Sequence, residues 1–230
     1  MPKRDKNRAH TLIISDLHLG SMVSRPAVVL DFVKNFHFKK LILLGDVFES
    51  LNFNELGEDD WKLLSLFSEL SKKKKVRWVI GNHDIGLTKF FSSLTGIKTY
   101  MHYTWHYNDK KYLAIHGHQF DNFLVNNAFL SFVLNKIYNF IQVVDFRDKR
   151  ISRFIKRNSK GWLRASQKVA KRAMLYGRLR GADVIFCGHT HKAMKKTSKK
   201  IQYYNSGCWT DIPSTYITID KDDISIHKHY

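Results

Sequence analysis

The sequence predicts an α/β fold, a mixed or largely parallel sheet covered by helices, and three observations carry that reading. Short β-branched or aliphatic runs recur along the chain, helical apolar spacing fills gaps between them, and an Asp, Asn or His follows each run. At 230 residues the chain is long enough for one large domain with a sizeable core.

In order, the runs are Leu12-Ile13-Ile14, Leu41-Ile42-Leu43-Leu44, Val76-Arg77-Trp78-Val79-Ile80, Tyr112-Leu113-Ala114-Ile115 and Val184-Ile185-Phe186. Each reads as a buried strand. Between the first two, residues 26–36 have helical spacing, with Ala27, Val28, Val29 and Leu30 expected inward and Pro26 suited to a first turn. Residues 59–70 read as a second helix, with Trp61, Leu63, Leu64 and Phe67 facing inward. After His118 the pattern changes. No clear strand appears over 120–181, where an apolar segment from Phe123 to Ile141 runs into a basic one. Residues 119–182 are therefore expected to form a helical insertion, a cap, between core segments 11–118 and 183–230. Later strands are expected at 201–204, 215–219 and 224–227, with 195–200 as a basic hairpin loop.

The charge is unusual. The chain has 39 basic and 20 acidic residues, a net charge of +19, which points to an anionic partner: nucleic acid, a membrane surface or a phosphorylated substrate. Residues 147–180 hold thirteen Lys or Arg against one acid, Asp148, so most of the excess lies in the expected cap. Cys187 and Cys208 make neither a disulfide framework nor a Cys-x-x-Cys site and read as apolar fillers in a reducing compartment. The basic start is followed by an apolar run too short for a signal peptide, and no stretch reaches the roughly 18 apolar residues of a membrane span. The expected location is cytoplasmic, with peripheral contact at the inner face of the membrane left open.

The polar groups after the runs form five motifs: Ser15-Asp16-Leu17-His18, Gly45-Asp46, Gly81-Asn82-His83-Asp84, His116-Gly117-His118 and Cys187-Gly188-His189-Thr190-His191. Open α/β sheets gather their sites at the carboxyl ends of strands, so these five strand ends can converge. A Gly before the ligand in Gly45, Gly81 and Gly188 suggests a sharp backbone turn toward an ion. Asp16, His18, Asp46, Asn82, His116, His189 and His191 supply seven oxygen or nitrogen ligands, which suits two ions sharing a carboxylate better than one ion. Carboxylate, amide and imidazole without thiolate favour Mn²⁺, with Fe²⁺ or Zn²⁺ as alternatives, over Ca²⁺.

In this order the motifs resemble the calcineurin-type binuclear metallophosphoesterases, and the resemblance covers residues 11 to about 210. It implies a sandwich of two mixed β-sheets flanked by helices. It also implies that Asp16, His18, Asp46 and His191 hold one metal, and Asp46, Asn82, His116 and His189 the other, with Asp46 bridging. His83 would stand beside the site to stabilise the transition state or protonate the leaving oxygen, with Asp84 orienting its ring.

Four runs, Ser15-Asp16-Leu17-His18-Leu19-Gly20, Gly45-Asp46-Val47-Phe48-Glu49, His116-Gly117-His118-Gln119-Phe120-Asp121 and Tyr203-Tyr204-Asn205-Ser206-Gly207, are similar to the UDP-2,3-diacylglucosamine pyrophosphohydrolases of lipid A synthesis. That resemblance implies cleavage to UMP and 2,3-diacylglucosamine 1-phosphate, with the cap sheltering acyl chains. Asn82, His83, Asp121 and His189 are then expected at the substrate, and Lys168, Lys171 or Arg172 attract phosphate at a membrane surface. The alternative is a phosphodiesterase or nuclease acting on nucleotides or nucleic acid, which the basic charge also suits.

Overall fold

The structure, a computed structural model, describes residues 7–86, 88–121, 160–198, 201–221 and 223–230. Two mixed sheets face each other. The first has the order β11-β10-β1-β2-β3-β4 and the second β5-β6-β7-β9-β8. The strands are β1 (Arg8–Ile14), β2 (His37–Leu44), β3 (Lys75–Val79), β4 (Lys98–Tyr100), β5 (Tyr103–Tyr107), β6 (Lys110–Ala114), β7 (Val184–Cys187), β8 (Met194–Ser198), β9 (Ile201–Asn205), β10 (Ser214–Ile219) and β11 (Ile224–His229). β1 to β4 pair in parallel, as do β6, β7 and β9, while the remaining pairs are antiparallel.

The continuous apolar runs have a physical cause: the central strands are covered on both faces. On the outer face of the first sheet, Leu12, Ile14, Leu41, Leu43 and Trp78 pack against helices α1 (Pro26–Asn35), α2 (Glu58–Lys73) and α3 (Thr88–Thr95). On its inner face, Ile13, Ile42, Leu44 and Val79 meet Trp105, Tyr112, Phe186 and Tyr204 of the second sheet. Each such fully buried side chain contributes about 1.5–3 kcal/mol, and a one-residue slip would exchange the two faces, so the register is held firmly.

The helices differ in detail from expectation. Val29, Phe32 and Val33 are the buried residues of α1, and Ala27 is exposed. In α2, Leu63, Leu64 and Phe67 are buried, but Trp61 is 43% exposed, because it lies a turn before Leu64 on the rim of the apolar stripe. Acidic Glu58, Asp59 and Asp60 open this helix and Lys72 and Lys73 close it, complementing its dipole.

Two expectations are corrected. Residues 195–200 were expected as a loop, but most of them belong to β8, which pairs antiparallel with β9. The expected cap also loses its C-terminal part to the core. Helix α4 (Lys160–Leu179) lies on the second sheet, burying Val169, Ala170 and Ala173, with Ala170 and Ala173 packed against Leu113, Ile185 and Tyr203. It links parallel β6 and β7, as a crossover helix must. The apolar segment from Phe123 to Ile141 lies outside the described residues. Cys187 and Cys208 are buried free thiols, as expected. Among the described residues no helix is long and apolar enough to cross a membrane.

Candidate metal centre

All five motifs leave the carboxyl ends of β1, β2, β3, β6 and β7, and the chain then turns abruptly. Asp16, His18, Asp46, His189 and His191 all have positive φ, between 49° and 65°. Such a conformation is uncommon for side chains other than Gly and costs energy at each position, so its repetition in five of the seven candidate ligands marks a built site. The loops are tied together by backbone bonds: Asp16 N–H donates to Gly45 O (3.0 Å), His18 N–H to Asp46 O (3.1 Å), and Gly188 N–H to His116 O (2.9 Å). Across the sandwich, His189 N–H donates to both oxygens of Asp16 at 3.1 and 3.2 Å.

Two groups of side chains result. In one, Asp16, His18 and His191 point ligand atoms at a common volume. His191 Nε2 is 3.2 Å from both Asp16 Oδ1 and His18 Nε2. His18 Nδ1 is bonded to Glu49 Oε2 at 2.7 Å, which turns Nε2 inward. In the other group Asp46, His116 and His189 converge. His116 Nδ1–H donates to Leu44 O (2.9 Å), leaving Nε2 facing Asp46 Oδ2 at 3.2 Å. His189 Nε2 meets Asp121 Oδ2 at 3.3 Å, so Nδ1 is the atom left for an ion. Asp46 also joins His18 and His83 in a third group, which places it between the two halves.

The glycines do less turning and more making of room than expected. Gly45 does sit at φ 82° and abuts the His116 ring. Gly81 and Gly188 have ordinary φ; a Cβ on Gly81 would run into Asp46, and one on Gly188 would lie 2.5 Å from Asp16 Oδ2 and 2.9 Å from Ser15 Oγ. They are small because carboxylates lie against them.

The donor set fits divalent cations. Asp16, Asp46 and His116 are buried, and among the described residues neither His116 Nε2, which faces Asp46, nor the buried Asn82 Oδ1 has a hydrogen-bond partner. The His116 Nε2–Asp46 Oδ2 contact is a charge pair. Burial opposes ionisation of Asp46, yet the charges of His116, His18 and His83 hold its carboxyl well below the usual range. Burial likewise opposes protonation of His116, but Asp46, Asp16 and the Leu44 carbonyl push it up to about 10. Carboxylates that hold protons on buried imidazoles so strongly would hold metal ions in their place.

His83 lies at the edge of this cluster. Its backbone N–H donates to Asp46 Oδ1 (3.0 Å), its ring Nδ1–H to Glu49 O (2.6 Å), and its ring meets His18 edge-on at 5.1 Å. The expected role of Asp84 is corrected here. Its carboxylate accepts from Val47 N, Phe48 N, Trp78 Nε1 and Gly81 N at 2.8–3.3 Å, with no bond to the His83 ring, which the Glu49 carbonyl orients instead. Burial and the nearby Asp46 charge push Asp84 up to about 6, against the bonds from Gly81 and Phe48. It locks the β2 and β3 loops together.

Among the expected substrate groups, Asp121 meets His189 and His83 borders Asp46, but Lys168 and Lys171 stand away from the cluster. Both are exposed on the face of α4 opposite Ser166, Val169, Ala170 and Ala173. Arg172 donates from Nη1 to Phe120 O at 2.9 Å, bracing the turn after His116. Three contributors had no role assigned from sequence. Glu49 orients His18; Asn205 donates from Nδ2 to Gly188 O (2.6 Å); Ser206 Oγ meets Ser15 Oγ (2.7 Å), clamping the first and last motifs. Their signal was position alone: Glu49 is three residues past Asp46, and Asn205-Ser206 ends a strand. His118 is a fourth, its Nδ1 buried beside His116 with no hydrogen-bond partner among the described residues, and its pKa pushed down to about 4 by burial and by His116 and His189.

The family profile described as calcineurin-like phosphoesterase matches residues 9–193. No curated protein matches the sequence. Among solved structures, an archaeal phosphodiesterase is similar at TM-score 0.52 and 13% identity over 95% of this chain and 98% of its own. YfcE, a phosphoesterase from E. coli, reaches 0.50 at 18% identity over 94% and 95%. A Vps29 single mutant from Entamoeba histolytica reaches 0.50 at 16% over 95% and 90%. At these identities the likeness is one of fold, and it agrees with the two mixed sheets flanked by helices.

Proposed function

This chain belongs to the calcineurin-like phosphoesterase family and is a metal-dependent phosphoester hydrolase, and on that premise we propose that it cleaves a phosphodiester or pyrophosphate bond across two cations that share Asp46. The observation carrying this reading is Asp46 itself, nearly inaccessible and within ligand distance of partners on both sides. Two divalent ions there would supply Lewis-acid activation of water and neutralise charge on the reacting phosphate. Asp16, His18 and His191 would hold one; Asn82, His116 and His189 the other. His83 contributes a proton or hydrogen bond from Nε2 to the leaving oxygen, because Glu49 O occupies Nδ1. Mn²⁺ is the cation we propose, on the carboxylate–imidazole donor set.

The substrate favoured by the four sequence runs is UDP-2,3-diacylglucosamine, giving UMP and 2,3-diacylglucosamine 1-phosphate, met at the inner membrane surface. A nucleotide or nucleic-acid phosphodiester is the second reading. One observation favours it: the chain's net charge of +19 suits a polyanionic substrate. The test is Mn²⁺-supported hydrolysis of UDP-2,3-diacylglucosamine beside bis-p-nitrophenyl phosphate, products identified by mass, with Asp46→Ala as control. UMP and the lipid phosphate support the first reading. Cleavage of the diester alone supports the second, and activity surviving in the control overturns both.

A further inference from the structure

The amino-terminal ends of the same strands carry the opposite chemistry. Lys39 and Lys40 of β2, Lys75 of β3, and Lys72, Lys73 and Lys74 at the end of α2 converge on a cleft of about 670 Å³. Six residues of extended chain separate Lys40 from Asp46, ~20 Å, so the cleft shares no group with the metal centre. The sequence alone suggests no more than a solvated turn at 72–75. Three features say otherwise.

First, the lysines are uncompensated. Among the described residues none of the six forms an ion pair, and no Asp or Glu lines the cleft. Dispersed lysines serve solubility; gathering six around one hollow works against the compact state by mutual repulsion. Second, the cleft has a floor. Lys40 is only 7% exposed, its ammonium over the rings of Trp105 (5.0 Å) and Tyr103 (5.7 Å). Burial and the charges of Lys75 and Arg77 push its pKa down to about 8, the repulsion that a bound anion would relieve. Third, the far wall is rigid: the His10 and Tyr107 rings stack at 3.9 Å, 12° from parallel.

We propose that this cleft binds a soluble oligophosphate, a compact anion carrying several adjacent phosphate groups. The volume is that of a small-molecule site. Lysines act as strongly hydrated point charges well suited to phosphate oxygens. A flat membrane would reach the exposed rim lysines but not Lys40, which lies between the sheets.

Lysine acetylation read by mass spectrometry on the whole chain tests this, with inorganic tripolyphosphate as probe. Wild type and Asp46→Ala are compared, so that binding at the metal centre is separated from binding at the cleft. The expected result in both is slower acetylation of Lys39, Lys72, Lys73 and Lys75 with no change at Lys168 and Lys171. In the Asp46→Ala background, changing those four cleft lysines to Gln should weaken tripolyphosphate binding at least about tenfold by calorimetry. The same four changes in wild type should leave hydrolysis of bis-p-nitrophenyl phosphate unaltered. Uniform slowing at all lysines, unchanged affinity in the variant, or protection by phosphatidylglycerol vesicles but not by tripolyphosphate would overturn the proposal.

Discussion

The half of the cluster on Asp16, His18 and His191 and the half on Asp46, His116 and His189 are oriented by different kinds of atom. His18 is aimed by the Glu49 side chain, itself 28% exposed. His116 is aimed by the carbonyl of Leu44, a strand atom that no substitution removes. The first half therefore depends on a carboxylate that water and mutation can reach, whereas the second inherits its geometry from β2. Asp46 belongs to both, and its Oδ1 also holds the backbone of His83. Coordination strength in such a site is set as much by what orients the ligands as by the ligands.

Asp46→Ala should collapse the distinction. Both ions leave and turnover falls to background, measured by metal analysis and phosphodiester hydrolysis; two ions retained per chain would refute the shared carboxylate. His83→Ala belongs to neither half and should lower kcat by about 10²–10⁴-fold with metal content near normal. Loss of metal in that variant would move His83 into the ligand set. Gly188→Ala should separate the halves by force, since the nearest atoms its methyl would meet belong to Asp16 and Ser15. The expected metal content is one ion per chain. A milder separation is Glu49→Gln, which should weaken one of two binding steps roughly 10–100-fold in a Mn²⁺ titration. Equal weakening of both steps would show that the halves are coupled.

The smallest effect lies at the other end of β2. Lys40 has its pKa lowered from 10.5 to about 8. A lowered lysine pKa means that the folded state disfavours the charge, so the penalty is full below pH 8 and fades as pH rises toward 10.5. Lys40→Met should raise Tm at pH 7, with the gain shrinking above pH 8 and metal binding unchanged in either half. A gain that is independent of pH would assign the effect to packing.

Among the described residues, eight of the eleven strands and two of the four helices were legible, five of the strands as apolar runs because burial on both faces leaves no polar position to break them, and the helices as apolar stripes at helical spacing. What escaped had weaker patterns. β4 is three residues long, β5 reads Tyr103-Thr104-Trp105-His106-Tyr107 with polar side chains outward, and β8 has no buried residue and carries Lys195 and Lys196. Helix α4 was visible as a basic segment, but its buried stripe is Val169 with Ser166, Ala170 and Ala173, the last three small residues that carry little hydropathy. Their size lets the helix approach the sheet closely, which composition does not announce.

From the sequence alone came the candidate chemistry of the site: residue type and order of five strand-end motifs nominated seven candidate ligands, because metal binding is written in side-chain identity. Tertiary structure decided everything that depends on which atoms face each other across long chain separations. Asp84 was reassigned from the His83 ring to four N–H donors, Glu49 and Asn205 acquired roles, Gly81 and Gly188 proved to be space for carboxylates, and lysines 35 residues apart met in one cleft. These are properties of distance and direction, which parallel strand pairing creates and a linear pattern does not contain.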